Sequence, residues 1–137
     1  MEIRIGQLAK LTGYQVETIR FYEQKGILPA PVRSESNYRM YGKTHVERLQ
    51  FVRRCRSLGM SLEEVRTLLT FHDQPGQPCD GVNDVLDQHI ADIDRQMAEL
   101  RALHTELMRL RASCGSARPA GECQILKELV NAPADSL

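Results

Sequence analysis

The stretch from Cys79 to Cys114, CDGVNDVLDQHIADIDRQMAELRALHTELMRLRASC, reads as one uninterrupted helix and decides the layout of the 137-residue chain. Leu86, Ile93, Leu100, Leu107 and Cys114 recur every seven residues, Leu103 and Leu110 form an intermediate row with Val82 ahead of them, and His89 and Gln96 interrupt that row. This is a heptad seam. Standing alone it would leave its apolar stripe in water, so a second helix is expected to cover it. At about 1.5 Å rise per residue, roughly 33 helical residues set Cys79 and Cys114 on the order of 50 Å apart. One chain cannot bring both thiols to one site. An antiparallel pair of such helices places Cys79 of one chain beside Cys114 of the other, which predicts a homodimer with Leu86, Ile93, Leu100, Leu107 and Leu110 at its interface.

Beyond Cys114, residues 115–121 are small and contain a proline, the composition of a loop. Cys123 then opens a short apolar stretch, Ile125, Leu126, Leu129 and Val130, and the last residues, Pro133 to Leu137, read as a frayed tail. The loop can fold back so that Cys114 and Cys123 face one ion. Three thiolates, Cys79, Cys114 and Cys123, suit lead, cadmium, mercury, zinc or copper(I) rather than magnesium or calcium. Binding requires their deprotonation, which the cation itself drives. A structural zinc site ordinarily has four protein ligands, often in Cys-x-x-Cys pairs, and neither the pairs nor a fourth ligand is evident. A site that fills and empties fits better. The fourth cysteine, Cys55, lies among apolar positions and reads as a core thiol. His89, in the second heptad row, is expected to pack or to hydrogen-bond between helices.

Ahead of the long helix, Leu8, Ala9 and Leu11 have helical spacing and stop near Gly13, while Val16, Ile19, Phe21 and Tyr22 repeat the pattern and end at Gly26. Two short helices joined so tightly are the helix-turn-helix arrangement, whose second helix enters the DNA major groove. Gln15, Glu17, Thr18 and Arg20 occupy its outward positions and can meet base edges and phosphates. From Pro31 to Tyr41, turn residues followed by alternating aromatic and basic residues suit a β-hairpin wing carrying Arg33, Asn37, Tyr38 and Arg39. An isolated hairpin is marginal, so the wing has to lean on the helices. Thr44 with Glu47, and Ser61 with Glu64, have capping-box spacing and mark two further helix starts. Arg53, Arg54 and Arg56 are expected to touch DNA in part. Prolines 75 and 78 with Gly76 form a hinge. The expected divisions are a DNA-binding domain at 1–72, a hinge at 73–81, a dimerisation helix at 82–114 and a metal-binding loop, short helix and tail at 115–137.

The composition agrees with one compact domain and an extended arm: 42% of residues are hydrophobic and 26% charged. Formal net charge is zero, yet residues 1–70 hold 12 Lys and Arg against 7 Asp and Glu, and residues 71–137 hold 6 against 11. The basic front half fits a phosphate-binding surface. There is no apolar run long enough for a membrane span and no secretory apolar core, which places the protein in the cytoplasm with reduced thiols. Neither a nucleophile–base arrangement nor a phosphate-cradling glycine loop is present, so no enzyme is expected.

Thr18-Ile-Arg-Phe-Tyr-Glu23, Gly26-Ile-Leu-Pro29, Asn37-Tyr-Arg39 with Tyr41, and His45-Val-Glu-Arg-Leu49 together resemble the MerR family of metal-responsive transcription regulators, over nearly the whole chain. Cys79-Asp-Gly-Val-Asn83 and Leu86-Asp-Gln-His-Ile90 look most like its lead- and cadmium-responsive (PbrR/CadR) branch. The resemblance implies a mainly α fold, a winged helix-turn-helix followed by an antiparallel dimerisation helix. It also implies a dimer on a palindromic promoter, repressing without metal and activating through DNA distortion for RNA polymerase when Pb(II) or Cd(II) binds. Hg(II) or Zn(II) sensing, or a thiol redox role, are the alternatives on the same fold, and a metal carrier is the rival class. By position match, Arg20, Tyr22, Arg33, Tyr38 and Arg39 are implied DNA contacts.

Overall fold

The computed structural model describes residues 2–115 and 118–131. Two compact units divide it, residues 1–89 and residues 90–137. In the first, α1 (Ile5–Thr12) ends at Gly13, whose φ of 77° is the left-handed conformation that lets the chain turn at once into α2 (Val16–Gln24). The wing follows as β1 (Val32–Arg33) and β2 (Arg39–Met40), antiparallel, with Val32 opposite Met40 and Arg33 opposite Arg39. Asn37 at φ 65° closes its turn, and its carbonyl accepts a 3.1 Å hydrogen bond from the Arg33 guanidinium. The wing leans on the N-terminal segment as much as on the helices: Ile3 and Tyr41 exchange backbone hydrogen bonds of 2.8 and 2.7 Å.

Helix α3 (Lys43–Ser57) starts one residue before Thr44, so the expected Thr44–Glu47 capping box does not form. His45 replaces it. Its Nδ1 accepts from the Gly42 N–H at 3.0 Å, which leaves the proton on Nε2 to donate to the Pro29 carbonyl at 3.1 Å. Helix α4 (Leu62–His72) is capped as its sequence suggests: Ser61 Oγ accepts from the Glu64 N–H and Glu64 Oε1 from the Ser61 N–H, at 3.2 and 2.9 Å. Leu8, Ile19, Leu49, Val52 and Val65 lie fully buried where α1 to α4 meet. Each contributes about 1.5–3 kcal/mol by leaving water.

Helix α5 runs Asp80–Ala112 and so begins two residues before position 82. Its first turns belong to the first compact unit, in which Val82 and Val85 pack against the core. Gly81 permits this approach: a Cβ there would fall 2.7 Å from Phe71 Cε1 and closer still to Cζ. In the second unit α5 continues, a single 3-10 turn spans Ala120–Glu122, and α6 is Gln124–Val130. Arg109 binds Glu106 at 2.6 Å and Glu128 at 2.8 Å, tying α6 to the end of α5. The heptad stripe is uncovered on the single chain, with Leu100 and Leu107 each 65% exposed. The tail at 133–137 lies outside the described residues. Among the described residues no helix is long and apolar enough to cross a membrane.

Candidate functional site

The candidate nucleic-acid face expected from the sequence lies on α2 and the wing. Arg20, Arg33 and Arg39 line one concave groove of about 400 Å³ with Glu23, Gln24, Ala30 and Pro31, and Thr18 sits half-buried on the same helix. Glu23 fixes the two elements together. The Tyr41 hydroxyl donates to Glu23 Oε1, and the Arg39 guanidinium lies 3.7 Å from Oε2. Burial first, and Glu23 second, push the Tyr41 phenol up to about 12, so it remains a donor at neutral pH. Tyr38 faces outward, with the Arg4 guanidinium 3.8 Å above its ring.

Tyr22 departs from the expected set of DNA contacts. Only 7% exposed, it points into the core with its ring edge-on to Tyr14 at 5.8 Å, because it follows Ile19 by three residues and shares that buried face. Two of the three clustered arginines also have structural partners: Arg53 stacks 4.5 Å over Tyr14, and Arg56 donates to the Met60 carbonyl at 2.8 Å.

The thiols stand in three environments. Cys79 is exposed, its carbonyl accepts the first hydrogen bond of α5 from the Asn83 N–H at 3.0 Å, and it borders an apolar cavity lined by Phe51, Cys55, Phe71 and Val82. Cys114, half-buried just past the end of α5, is steadied by an Arg111 hydrogen bond to its carbonyl at 3.2 Å. Cys123 immediately precedes α6. The Leu126 amide foremost, then the Cys114 thiol beside it, hold the Cys123 thiol below the usual range. Cys114 and Cys123 are thus near neighbours in the second unit. Such a pair, one thiol already biased toward thiolate, fits a soft cation. Among the described residues of one chain, no three His, Cys, Asp or Glu side chains gather closely enough to hold a metal. Cys55 is buried, and burial pushes its thiol up.

Residues 3–71 match the family model for the MerR HTH family regulatory protein, and residues 46–110 match that for MerR, DNA binding. The chain belongs to the MerR family. It is 51% identical to PbrR691 of Ralstonia metallidurans CH34, solved in complex with lead(II), with a TM-score of 0.85 over 93% of this chain and 98% of that one. MerR of Bacillus megaterium MB1, solved with mercury(II), is 34% identical, with a TM-score of 0.74 over 93% and 99% of the two chains. A ZntR homolog of Haemophilus influenzae is 42% identical over 109 residues, 80% of this chain and 81% of its own. As a MerR-family protein the chain is a DNA-binding transcription regulator and not an enzyme.

Three residues of consequence carry no local signal. Tyr41 and Glu23 join elements 18 residues apart. His89 is buried and hydrogen-bonds between helices as expected, but to partners no local spacing names: Nε2 lies 2.8 Å from the Leu58 carbonyl and Nδ1 3.1 Å from Glu64 Oε2. The spacing Ile19–Tyr22, by contrast, was a readable sign that Tyr22 faces inward.

Proposed function

We propose that this MerR-family chain is a homodimeric, metal-responsive regulator whose sensing site takes Cys79 from one chain and Cys114 with Cys123 from its partner, and that Pb(II) or Cd(II) is the ion sensed. The observation that carries this reading is the Cys114–Cys123 pair, one thiol held toward its anion, at one end of a heptad helix whose other end bears Cys79. The lead(II) complex of the 51% identical PbrR691 favours lead, while the mercury and ZntR relatives make Hg(II) and Zn(II) the ions to compete against it. Bound there, the ion supplies a soft cationic centre that shared thiolates from two chains can satisfy.

The residues of the head supply the rest. Thr18 and Arg20 face the major groove of a palindromic promoter, and Arg33, Tyr38 and Arg39 hold its phosphates. Repression without metal and activation with it require that the ion bind the activating conformation more tightly. Distorting the promoter so that RNA polymerase can use it costs on the order of a few kcal/mol, within the reach of metal–thiolate binding.

Competitive titration with Pb(II), Cd(II), Zn(II) and Hg(II), followed by thiolate-to-metal absorption, is expected to rank Pb(II) or Cd(II) first; two-coordinate copper(I) preference would sink the reading. Mixing Cys79→Ser chains with Cys114→Ser chains is expected to restore one complete site per heterodimer, and no recovery counts against ligands from both chains. A redox role is the second reading, favoured by the same Cys114–Cys123 proximity. A 114–123 disulfide after mild peroxide, found by mass spectrometry and coupled to altered operator binding, would support it.

A further inference from the structure

The geometry points to His89 as the positioning residue through which a change at the thiols reaches the DNA-binding unit, an inference that rests on the metal-responsive reading above. His89 is the one residue of α5 that is buried, and it lies ten residues from Cys79, about 15 Å of helix rise. Its imidazole joins three helices. Nε2 donates to the Leu58 carbonyl, the C-terminal cap of α3, at 2.8 Å. Nδ1 lies 3.1 Å from Glu64 Oε2. Glu64 Oε1 in turn accepts from the Ser61 N–H that caps α4.

The contacts of Gly81 with Phe71, and of Val82 and Val85 with the core of this unit, are apolar and have no preferred direction. Hydrogen bonds do. A rotation or slide of α5 against the α3–α4 turn must therefore break both bonds of His89 or carry the turn with it. Because Leu58 ends one helix and Glu64 helps to begin the next, carrying the turn moves α3 and α4 together. Both ring nitrogens are engaged within the chain, so His89 acts on the response through position and not as a metal ligand.

The test uses full-length reduced protein, Pb(II), and a palindromic duplex selected by the protein from a random library and carrying 2-aminopurine at its centre. His89→Leu is expected to retain the Pb(II)–thiolate absorption and the metal-free affinity for the duplex. The Pb(II)-induced change in duplex affinity, roughly 5–150-fold where two sites are coupled, is expected to vanish, together with the change in fluorescence. Glu64→Gln, whose amide can still accept from Ser61 and donate to the imidazole, is expected to keep the response, and Glu64→Leu to lose it. A full Pb(II) response in His89→Leu overturns the inference. If His89→Leu does not fold, Glu64→Leu is read by the same criteria, a full response again overturning it. Wild-type protein that binds no soft metal at its thiols refutes the proposed function instead, so the two failures are distinguishable.

Discussion

Replacing Gly81 by alanine probes the seat of α5 on the first unit. The added Cβ would lie 2.7 Å from Phe71 Cε1 and 3.0 Å from Cε2, where carbon atoms in contact prefer about 3.5–4.0 Å. Helix propensity alone favours alanine by about 1 kcal/mol. Overpacking opposes it by about 1–3 kcal/mol, giving a net loss of about 0–2 kcal/mol. Phe71→Leu removes the ring that causes the conflict, so in the double variant the alanine should stabilise, with a coupling of about 1 kcal/mol or more. Urea unfolding at fixed protein concentration, with unchanged slope, measures all four corners of the cycle. Alanine at 81 that stabilises by its full propensity, additively with Phe71→Leu, would refute the packing argument.

Other outcomes follow from the same geometry. The Tyr41 phenol ordinarily ionises near 10.0 and is held to about 12 in the fold, so its contribution is complete below pH 10 and is lost as pH rises through that window. Tyr41→Phe should flatten this alkaline limb in unfolding measurements while costing about 1 kcal/mol at neutral pH through the lost hydrogen bond. Iodoacetamide near neutral pH should modify Cys123, held toward thiolate, before the buried Cys55; mass spectrometry showing the reverse order would contradict the assignment. Arg20→Ala should weaken operator binding and reduce the salt slope by about one, whereas Tyr22→Phe, altering a buried ring, should leave that slope unchanged.

Periodic and local features were legible in the sequence. The helix-turn-helix, the wing, the Ser61–Glu64 cap and the long helix all rest on spacings within one element. The Thr44–Glu47 box misled because the His45 ring, held also by the Pro29 carbonyl, wins the Gly42 N–H and starts the helix earlier. The interhelical hydrogen-bonding role expected of His89 is what the structure shows, but its partner Leu58 lies 31 residues away, a distance no periodicity encodes. Gly81 likewise needs Phe71 to explain it. At the candidate thiol site, the amide of Leu126 that biases Cys123 belongs to α6 and is not signalled by the cysteine spacing.

The bonding of Glu23 divides α2, the proposed DNA-reading helix, lengthwise into a part committed to the scaffold and a part open to variation. Ile19 and Tyr22 are buried, and Glu23 is held by Tyr41 and Arg39, whereas Gln15, Glu17 and Arg20 are exposed and Thr18 is half-buried. New operator preferences can thus be sought at positions 15, 17, 18 and 20 without disturbing the wing, while diversity at 19, 22 or 23 would spend itself on folding defects.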